Sequence, residues 1–421
     1  MLTRRSLIAA AAAGTGIVNP AVADVTADTT ARGASRPLLP AKSEFADMPL
    51  TYLDAGATHP MPLGAANALE TYLREKTLDG SARPLRVGAL EREMITAFGS
   101  LVGAAPNELS LIQSTTMGEN LALLALGLPE AGGRIVTDAL HFFGSFYTYG
   151  EMGRAGMDVV TLPMEADGRI DMGKMADAID HNTKLVAISH VSTVNGFEHD
   201  LKAICDLAHA KGAYVFADII HGAGTTPIDL RAAGVDFASS ASYKWLMGDF
   251  GLGFFYVRRE VQEKLRRPWW GYHQLARFQS HVYPYDTPGE TVADYEAIDG
   301  AEGLFAMGAA PWTGVIQLNW SLAWLNRVGV EAIQTWRQPM ADVIQTELRN
   351  RGYEPLTPED SRTPLVAFAL KDARATLTER LNAAQIRLGL SQNRFRVSLA
   401  VFNDMNDVDK LLAVLPKTPP V

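Results

Sequence analysis

Short apolar runs alternate with helical patterns through the middle of the chain, and this alternation limits the folds that are open to it. Strand-like runs cover 109–113, 134–137, 158–162, 185–190, 214–218, 237–240 and 254–257, and the helix-like stretches between them include 118–127, 171–179 and 200–211. In the last of these stretches, apolar residues recur every three or four positions, as on one face of a helix. Near-continuous apolar strands alternating with helices predict an α/β fold with a mainly parallel, seven-stranded sheet covered by helices on both faces.

The pattern changes after about residue 310, where a long helix over 315–328 leads to a shorter α+β segment. We therefore predict a large domain over 61–309 and a smaller α+β domain built from 44–60 and 310–421. Ligands of parallel α/β sheets bind beyond the carboxyl ends of the strands. Polar residues that directly follow strands are therefore the candidates for a functional site.

The composition excludes several classes of protein. The 421 residues are 47% hydrophobic and 20% charged, which is typical of a large globular enzyme. The formal net charge is −9 with no run of Lys or Arg in the body of the chain, so nucleic acid is not an expected partner. The single cysteine, Cys205, cannot form an intrachain disulfide, and the nine histidines form no metal-binding motif.

The first residues have the features of an export signal. Arg4-Arg5 precede an apolar run over 7–18, and Ala21-Val22-Ala23 forms a small-residue cleavage site. The paired arginines predict a twin-arginine signal peptide over 1–23, cleaved near Ala23, before a flexible lead-in over 24–43. An ordinary secretory leader is the alternative. The apolar run is too short to span a bilayer comfortably, so we expect a periplasmic protein without a stable membrane anchor, with the twin-arginine export machinery as a partner.

Two residues whose side chains could take part in catalysis follow neighbouring strands. Asp218 ends the apolar run Tyr214-Val215-Phe216-Ala217, and Lys244 comes 26 residues later in Ser242-Tyr243-Lys244-Trp245, before a glycine-rich turn over 248–253. A lone Asp after a strand is usually a turn or cap residue, and a lone Lys is usually solvated. Because these two follow successive strands, both can face one pocket.

These motifs resemble the class V aminotransferase family of fold-type I pyridoxal-phosphate (PLP) enzymes, which includes cysteine desulfurases, kynureninases and isopenicillin-N-epimerase-like proteins. The resemblance runs from Tyr52-Leu53-Asp54 to Arg396-Val397-Ser398, and Ala-Asp-x-x-His at 217–221 and Ser-Tyr-Lys at 242–244 are its most specific motifs. It implies that PLP is the cofactor and Lys244 the Schiff-base lysine. It also implies that Asp218 pairs with the pyridine nitrogen and that His221 lies near the 3-oxygen of the cofactor.

The roles implied for these residues make physical demands. Lys244 must be a neutral amine at working pH, which burial would favour. Once freed by a substrate amine, Lys244 can move a proton at the substrate Cα, and such acid–base groups contribute about 10²–10⁴-fold. A charge-assisted hydrogen bond from the ring nitrogen to Asp218 is worth roughly 1.5–3 kcal/mol.

A phosphate group needs hydrogen-bond donors and a helix N-terminus. Ser114-Thr115-Thr116 follows a strand and opens a helix, where backbone N–H groups and the helix dipole favour an anion. An ordinary helix cap is the alternative for these residues. The resemblance assigns a hydroxyl contact to Thr116, mainly a backbone contact to Thr115, and a phosphate contact to Tyr243 as in kynureninases. It also includes Ser242 among the cofactor-binding residues.

The resemblance also names groups around the cofactor ring and the substrate. Phe142 aligns with the residue that stacks on the pyridine ring, although a shift of one residue would select His141. Arg396 matches the arginine that binds the substrate carboxylate, a task that suits a bidentate guanidinium. Thr193 stands where desulfurases place an Asn that helps to hold the substrate. Ala309 stands where the neighbouring subunit usually supplies a threonine to the phosphate, so only backbone contacts are expected there.

Cysteine desulfurases need a nucleophilic thiol shortly before the carboxylate-binding arginine, and the stretch 386–395 holds no cysteine. Cys205 lies on the apolar face of a predicted helix, where a cysteine behaves as a small core residue. At the level of the sequence, this departure disfavours persulfide-forming desulfuration.

The expected function is therefore PLP-dependent chemistry at the amine-bearing carbon of an amino acid or an amino-acid-derived group. Aminotransferase chemistry is favoured, and lyase or epimerase chemistry is the alternative. Export suggests a specialised small-molecule amino substrate or a peptide side chain, such as that of a siderophore precursor. A non-catalytic binding protein is a further alternative, against which the intact Asp218, His221 and Lys244 argue. The absence of a GxGxxG loop excludes a nucleotide-binding oxidoreductase, and family members are generally homodimers, so a homodimer is expected.

Overall fold

A computed structural model describes residues 38–79 and 84–419. The predicted signal peptide and the first part of the lead-in, residues 24–37, lie outside the described residues, so export stays a prediction. Among the helices of the described ranges, none combines the length and the apolar character needed to cross a membrane.

The elements follow one another in an order that alternates strands and helices through the first part of the chain. In chain order they are β1 (Thr51–Leu53), α1 (Leu63–Leu78), α2 (Pro84–Val102), β2 (Leu109–Ile112), α3 (Thr115–Ala125), β3 (Arg134–Asp138), α4 (Phe143–Arg154), β4 (Asp158–Leu162), α5 (Met172–Ala178), β5 (Thr183–Ser189), α6 (Leu201–His209), β6 (Tyr214–Asp218), α7 (Leu230–Ala233), β7 (Phe237–Ala241) and β8 (Gly253–Val257). The remainder are α8 (Arg259–Gln262), β9 (Leu275–Ser280), β10 (Ala293–Ala297), α9 (Ala301–Phe305), α10 (Trp312–Val328), α11 (Val330–Asn350), β11 (Glu354–Pro355), β12 (Leu365–Ala369), α12 (Ala373–Ala383), β13 (Ile386–Leu390), β14 (Arg394–Ser398) and α13 (Met405–Val414).

The large sheet has seven strands in the order β2-β8-β7-β6-β5-β3-β4. Strands β3 to β7 run parallel to one another, and β8 pairs antiparallel with β7 and β2. Alternate side chains of the central strands enter two different cores: Val215 and Ala217 join one, and Phe216 joins the other. Burial on both faces explains why these strands are almost continuously apolar. The predicted α/β fold with a mainly parallel, seven-stranded sheet is confirmed.

A small sheet joins the start of the described chain to its end. Its order is β1-β13-β14-β12-β11, with β1 parallel to β13 and the other pairs antiparallel. Phe368 and Phe395 from this sheet form a separate core with Met340 and Ile344 of α11. The small sheet therefore draws its strands from the segments that the sequence analysis assigned to a smaller domain, although the domain boundaries at 60 and 309 stay predictions.

Two features of the fold differ from the sequence-based expectations. Helix α3 begins at Thr115 rather than at residue 118, because the side chain of Ser114 caps it by accepting from the backbone N–H of Met117 at 3.2 Å. The hairpin of β9 and β10 was not predicted. Most of its side chains are exposed, so the apolar–polar alternation that identifies a half-buried strand is absent.

The large sheet brings the ends of its parallel strands to one edge. At that edge Asp218 of β6 lies between Ser189 of β5 and Ser239 of β7. The chain leaves β7 at Ala241 and reaches Lys244 three residues later. The sheet therefore positions the acid and the lysine that the sequence analysis selected.

Candidate active site

Lys244 lies in a hydrogen-bonded series of three side chains. Its Nζ atom is 2.9 Å from Nε2 of His221, and Nε1 of Trp245 donates to Nδ1 of His221 at 3.2 Å. Because an indole N–H can only donate, Nδ1 of His221 must accept, and the proton of the neutral imidazole lies on Nε2. Nε2 therefore donates to Lys244, which accepts this hydrogen bond as a neutral amine.

Burial favours the neutral forms of both groups. Lys244 is 7% exposed and His221 is 2% exposed. Burial lowers the pKa of Lys244 to about 7, although the charge of Asp218 acts in the opposite direction. Burial and the charge of Lys244 hold the pKa of His221 well below its ordinary value. A neutral amine is the nucleophilic form of lysine, so this environment meets the demand for a Schiff-base lysine.

Asp218 is buried in the same region. One carboxylate oxygen accepts from the backbone N–H of Ile220 at 2.9 Å. Burial raises the pKa of Asp218, while the positive charges of His141 and Lys244 lower it. The structure thus places Asp218 in the same buried region as His221 and Lys244, where the effect of burial is the largest and the pKa of the acid is raised.

A buried acid that the sequence analysis missed supports the charge of His141. Glu119 in α3 is 3.0 Å from Nε2 of His141 and accepts hydrogen bonds from the hydroxyls of Ser145 and Tyr149. Burial alone would lower the pKa of His141, but the hydrogen bond and charge of Glu119 outweigh it, and the pKa is raised. The positive charge of His141, which Glu119 favours, lowers the pKa of Asp218 and so opposes the effect of burial.

The structure separates the two candidates for stacking on the cofactor ring. His141 is fully buried, and its two ring nitrogens contact Glu119 and Ser189, the latter at 2.8 Å. Phe142 precedes α4 and is partly exposed, packed on Phe143 with 4.4 Å between ring centroids. This arrangement favours Phe142 as the stacking residue and leaves His141 to the buried charge network.

The two threonines of the predicted phosphate site open α3. The hydroxyl of Thr115 accepts from the backbone N–H of Ala241 at 2.9 Å, which fixes the side chain against β7 and leaves its O–H proton free to donate. Thr116 is exposed in the first turn, where its hydroxyl and the helix dipole can act on the same anion. The phosphate contacts of Thr115 and Thr116 stay predictions.

Ser242 requires a correction. Its hydroxyl lies 2.9 Å from the carbonyl oxygen of Asp249 and 2.8 Å from that of Leu252, within the glycine-rich turn. A hydroxyl has one proton to donate, so these two carbonyls engage it fully, and we assign Ser242 to holding the turn rather than the cofactor. Tyr243 is partly buried and stacks on Phe250 with 4.2 Å between ring centroids, and its contact with the phosphate stays a prediction.

Arg396 and Thr193, the two predicted substrate-binding residues, contact each other. Nη1 of Arg396 donates to the hydroxyl of Thr193 at 2.8 Å and to its carbonyl oxygen at 3.0 Å. Nη2 lies 3.7 Å from Asp54, and Nε is buried without a hydrogen-bond partner in the described part of the chain. Burial lowers the pKa of Arg396 to about 10, which leaves it charged at neutral pH. Its Nε–H is therefore free to donate to a substrate carboxylate.

Three residues of the site escaped the sequence analysis, and each had a local signal. Glu119 is a lone acid within the apolar helix α3, Trp245 follows the lysine directly, and Arg394 precedes Arg396 by two positions in one strand. A buried acid in an apolar helix needs a partner, and two side chains spaced by two in a strand share a face. Neither rule identifies the partner, because the contacts join distant segments.

Comparison with known proteins gives relatives that act on sulfur amino acids. The chain is 28% identical over 310 residues to a probable cysteine desulfurase of Methanothermobacter thermautotrophicus, covering 71% of this chain and 73% of the relative. The fold is similar to that of the cysteine desulfurase CsdA from Escherichia coli, with a TM-score of 0.76, 22% identity and coverage of 90% and 97% of the two chains. It is also similar to a C-DES variant with glycine covalently linked to its PLP cofactor, with a TM-score of 0.75, 18% identity and coverage of 87% and 96%.

These relatives overturn the expected reaction. Aminotransferase chemistry on a peptide or siderophore precursor was favoured and cysteine desulfurase chemistry was disfavoured, whereas the relatives are named as cysteine desulfurases. The error came from the missing thiol before Arg396. The missing thiol bears only on the identity of the sulfur acceptor. The residues that the resemblance assigns to the cofactor and the amino acid, Lys244, Asp218 and Arg396, are all present.

The aminotransferase class-V family matches residues 51–411, a range that includes both sheets. The cofactor of this fold is pyridoxal 5′-phosphate, and the site fits it: a neutral, buried Lys244 offers the amine, a buried Asp218 offers the acid, and α3 offers its N-terminus to the phosphate. The chain belongs to the class-V aminotransferase family.

Proposed function

We propose that this chain is a PLP-dependent enzyme that cleaves the bond between Cβ and sulfur in cysteine or a related sulfur amino acid. The names of the relatives support the class of reaction. The observation that carries the proposal is the buried Lys244 amine, which lies 2.9 Å from His221 and whose pKa the nearby charge of Arg396 helps to lower. These groups are what a site needs in order to hold an amino acid and remove the proton from its Cα.

The residues of the chain divide the work between binding and proton transfer. Arg396 binds the α-carboxylate through its guanidinium, whose Nε has no hydrogen-bond partner among the described residues and whose Nη2 lies 3.7 Å from Asp54. Lys244 takes the proton from Cα, since its pKa of about 7 allows both proton uptake and release near neutral pH. Asp218 holds the pyridine nitrogen in its protonated form. When bound, PLP supplies an electron sink for the negative charge that develops at Cα.

The sulfur leaves on a small molecule rather than on this chain. Cys205 is the only cysteine in the sequence, and it lies on the buried face of α6. Burial raises the pKa of Cys205 to about 12, so the reactive thiolate is absent at neutral pH. The sulfur acceptor is therefore a soluble thiol or the substrate itself.

The test is to incubate the yellow holoenzyme with cysteine and with cystine, and to measure sulfide, persulfide, alanine and pyruvate. We expect sulfur release from at least one of the two, and its loss in Lys244→Ala. Exchange of the α-hydrogen without release of sulfur from either substrate would contradict the proposal. A homodimer, expected from the family resemblance, stays a proposal that sedimentation of the same holoenzyme tests.

A further inference from the structure

An acid lies beside the arginine that is assigned to the substrate carboxylate. Oδ1 of Asp54 is 3.7 Å from Nη2 of Arg396, which is too far for a hydrogen bond but close for two opposite charges. Asp54 directly follows β1 and forms a parallel bridge with Ser398, the last residue of β14. The small sheet therefore holds the carboxylate and the guanidinium side by side.

The surroundings of the two groups are enclosed and incompletely hydrogen-bonded. Asp54 and Arg396 are each 6% exposed, and Oδ1 of Asp54, Nε of Arg396 and Oγ of Ser398 have no hydrogen-bond partner among the described residues. A Cβ atom on Gly56 would lie 3.2 Å from Nη2 of Arg396 and 2.7 Å from Oγ of Ser398. The segment after β1 thus packs directly on the guanidinium. Buried polar groups are nearly always paired, so this place is suited to a polar ligand.

Burial makes the ionised form of Asp54 costly. Its effect exceeds the opposing charges of Arg396, Arg387 and Lys244, and the pKa of Asp54 is raised. Nε of Arg387 on β13 is 4.0 Å from Oδ2, but this arginine is 65% exposed, so solvent screens its charge. Tyr52 on β1 is also near, and it stays neutral around pH 7 because burial raises its pKa. Arg396 is therefore the main counter-charge of Asp54.

A substrate carboxylate changes this balance. An ionised carboxylate can only accept hydrogen bonds, so it can use the free Nε–H of Arg396 but offers no donor to Asp54. Two carboxylates that share one buried site repel each other, and the pKa of one of them rises strongly. The substrate carboxylate keeps its charge through direct contact with Arg396. Asp54 is therefore the group that gains the proton.

We propose that Asp54 sets the affinity of the site for the substrate carboxylate, because it competes for Arg396 and takes a proton from solvent when the substrate binds. This inference rests on the role of Arg396 in the proposed function. Protonated Asp54 has an O–H group to donate, so protonation removes a repulsion and adds a donor beside the carboxylate. The coupling is reciprocal: if the substrate raises the pKa of Asp54 by about one unit, ionised Asp54 weakens substrate binding by about tenfold.

The test measures how the holoenzyme binds 3-(methylthio)propionate, a carboxylate that carries sulfur but no amine. Calorimetry in two buffers of different ionisation enthalpy gives both the affinity and the number of protons taken up. We expect the affinity to rise by about tenfold or more from about pH 8.5 to about pH 5.5, with uptake of protons on binding. The neutral 3-(methylthio)propionamide is the matched probe and should show neither effect, since its amide can donate to ionised Asp54.

Asp54→Asn separates this role from a structural one. The amide keeps the shape of the side chain and is neutral at every pH. At about pH 8 the variant should therefore bind the carboxylate about tenfold or more tightly than the native holoenzyme does, without proton uptake. A residue that only holds Arg396 in place would give the opposite change, because its loss would weaken binding. Asp47→Asn removes an equal charge from an exposed position before β1 and should behave as the native protein.

Two outcomes would overturn the inference. One is binding of the carboxylate to the native holoenzyme without proton uptake across this pH range, a measurement that needs no variant. The other is weaker binding to Asp54→Asn than to the native protein. Because the probe has no amine and does not react, proton-linked binding in a protein that releases no sulfur would refute the proposed reaction and leave the role of Asp54 standing.

Discussion

Nε2 of His221 lies 2.9 Å from the amine of Lys244, while Nδ1 of the same ring accepts a hydrogen bond from the indole of Trp245 at 3.2 Å. The indole fixes which nitrogen of the histidine carries the proton, and that choice makes the lysine an acceptor. Trp245, acting through His221, therefore favours the neutral form of Lys244 in addition to burial.

Replacing Trp245 by phenylalanine should raise the pKa of Lys244. Without the indole donor, the proton of His221 can move to Nδ1, and Nε2 can then accept from a lysine ammonium group. We expect the midpoint of the pH dependence of PLP rebinding to the cofactor-free protein to move upward, away from about 7. Trp269→Phe is the matched control, since it removes an indole hydrogen bond of 3.2 Å to Phe305 elsewhere. An unchanged midpoint in Trp245→Phe would refute the tautomer argument.

Lys244→Met should stabilise the cofactor-free protein at neutral and acidic pH. The pKa of Lys244 falls from an unfolded value of 10.5 to about 7, so the unfolded state binds more protons between these two values. The destabilisation by the lysine is complete below about pH 7 and disappears as the pH rises towards 10.5. We expect the variant to be more stable at pH 6 by roughly a few kcal/mol. Urea unfolding at several pH values measures this, and a pH-independent difference between the two proteins would count against it.

Glu119→Gln should lower both the free energy of unfolding and the affinity for PLP. The change removes the buried anion beside His141, and breaking a buried ion pair typically costs about 3–5 kcal/mol. Without Glu119 the pKa of His141 falls. Losing the charge of His141, whose effect on Asp218 is larger than the opposing effect of Glu119, should raise the pKa of Asp218 and weaken its pairing with the ring nitrogen. Urea unfolding and PLP titration give the two readouts. Glu151→Gln, in an exposed pair with Arg154, is the control and should change neither. Unaltered PLP affinity in Glu119→Gln would show that the network does not act on Asp218.

Asp218→Asn should slow sulfur release without preventing attachment of the cofactor. The amide cannot hold the ring nitrogen in its protonated form, and a charge-assisted hydrogen bond of roughly 1.5–3 kcal/mol corresponds to about a tenfold to hundredfold loss in kcat/KM. The assay is release of sulfide or persulfide from cysteine and cystine. Asp206→Asn, whose carboxylate is exposed and paired with Lys202, should retain full activity. Equal activity of Asp218→Asn and the native enzyme would remove Asp218 from the proposed role.

The sequence predicted those parts of the molecule that depend on local patterns. The central strands were identifiable because burial on both faces makes them apolar, and Asp218 and Lys244 were identifiable because they follow neighbouring strands. The contact of Glu119 with His141 was not, since it joins a helix to a loop after another strand. Arg394 was overlooked for the same reason, because its partner Val194 is 200 residues away in the chain.

The reaction was the part that the sequence predicted wrongly. The stretch before Arg396 lacks a cysteine, and this single absence was given more weight than the intact residues that bind and deprotonate an amino acid. In the structure Arg396 contacts Thr193, and its charge acts on the buried Lys244, irrespective of that stretch. Local loss of one group therefore says little about the chemistry at Cα.

The central claim is that Lys244 carries the cofactor. The most direct measurement is to reduce the yellow holoenzyme with borohydride, digest it and identify the modified peptide by mass spectrometry. We predict one pyridoxyl group, attached to Lys244, and none in Lys244→Ala treated in the same way. Attachment to another lysine, or a native protein that retains no pyridoxyl group after reduction, would contradict the account.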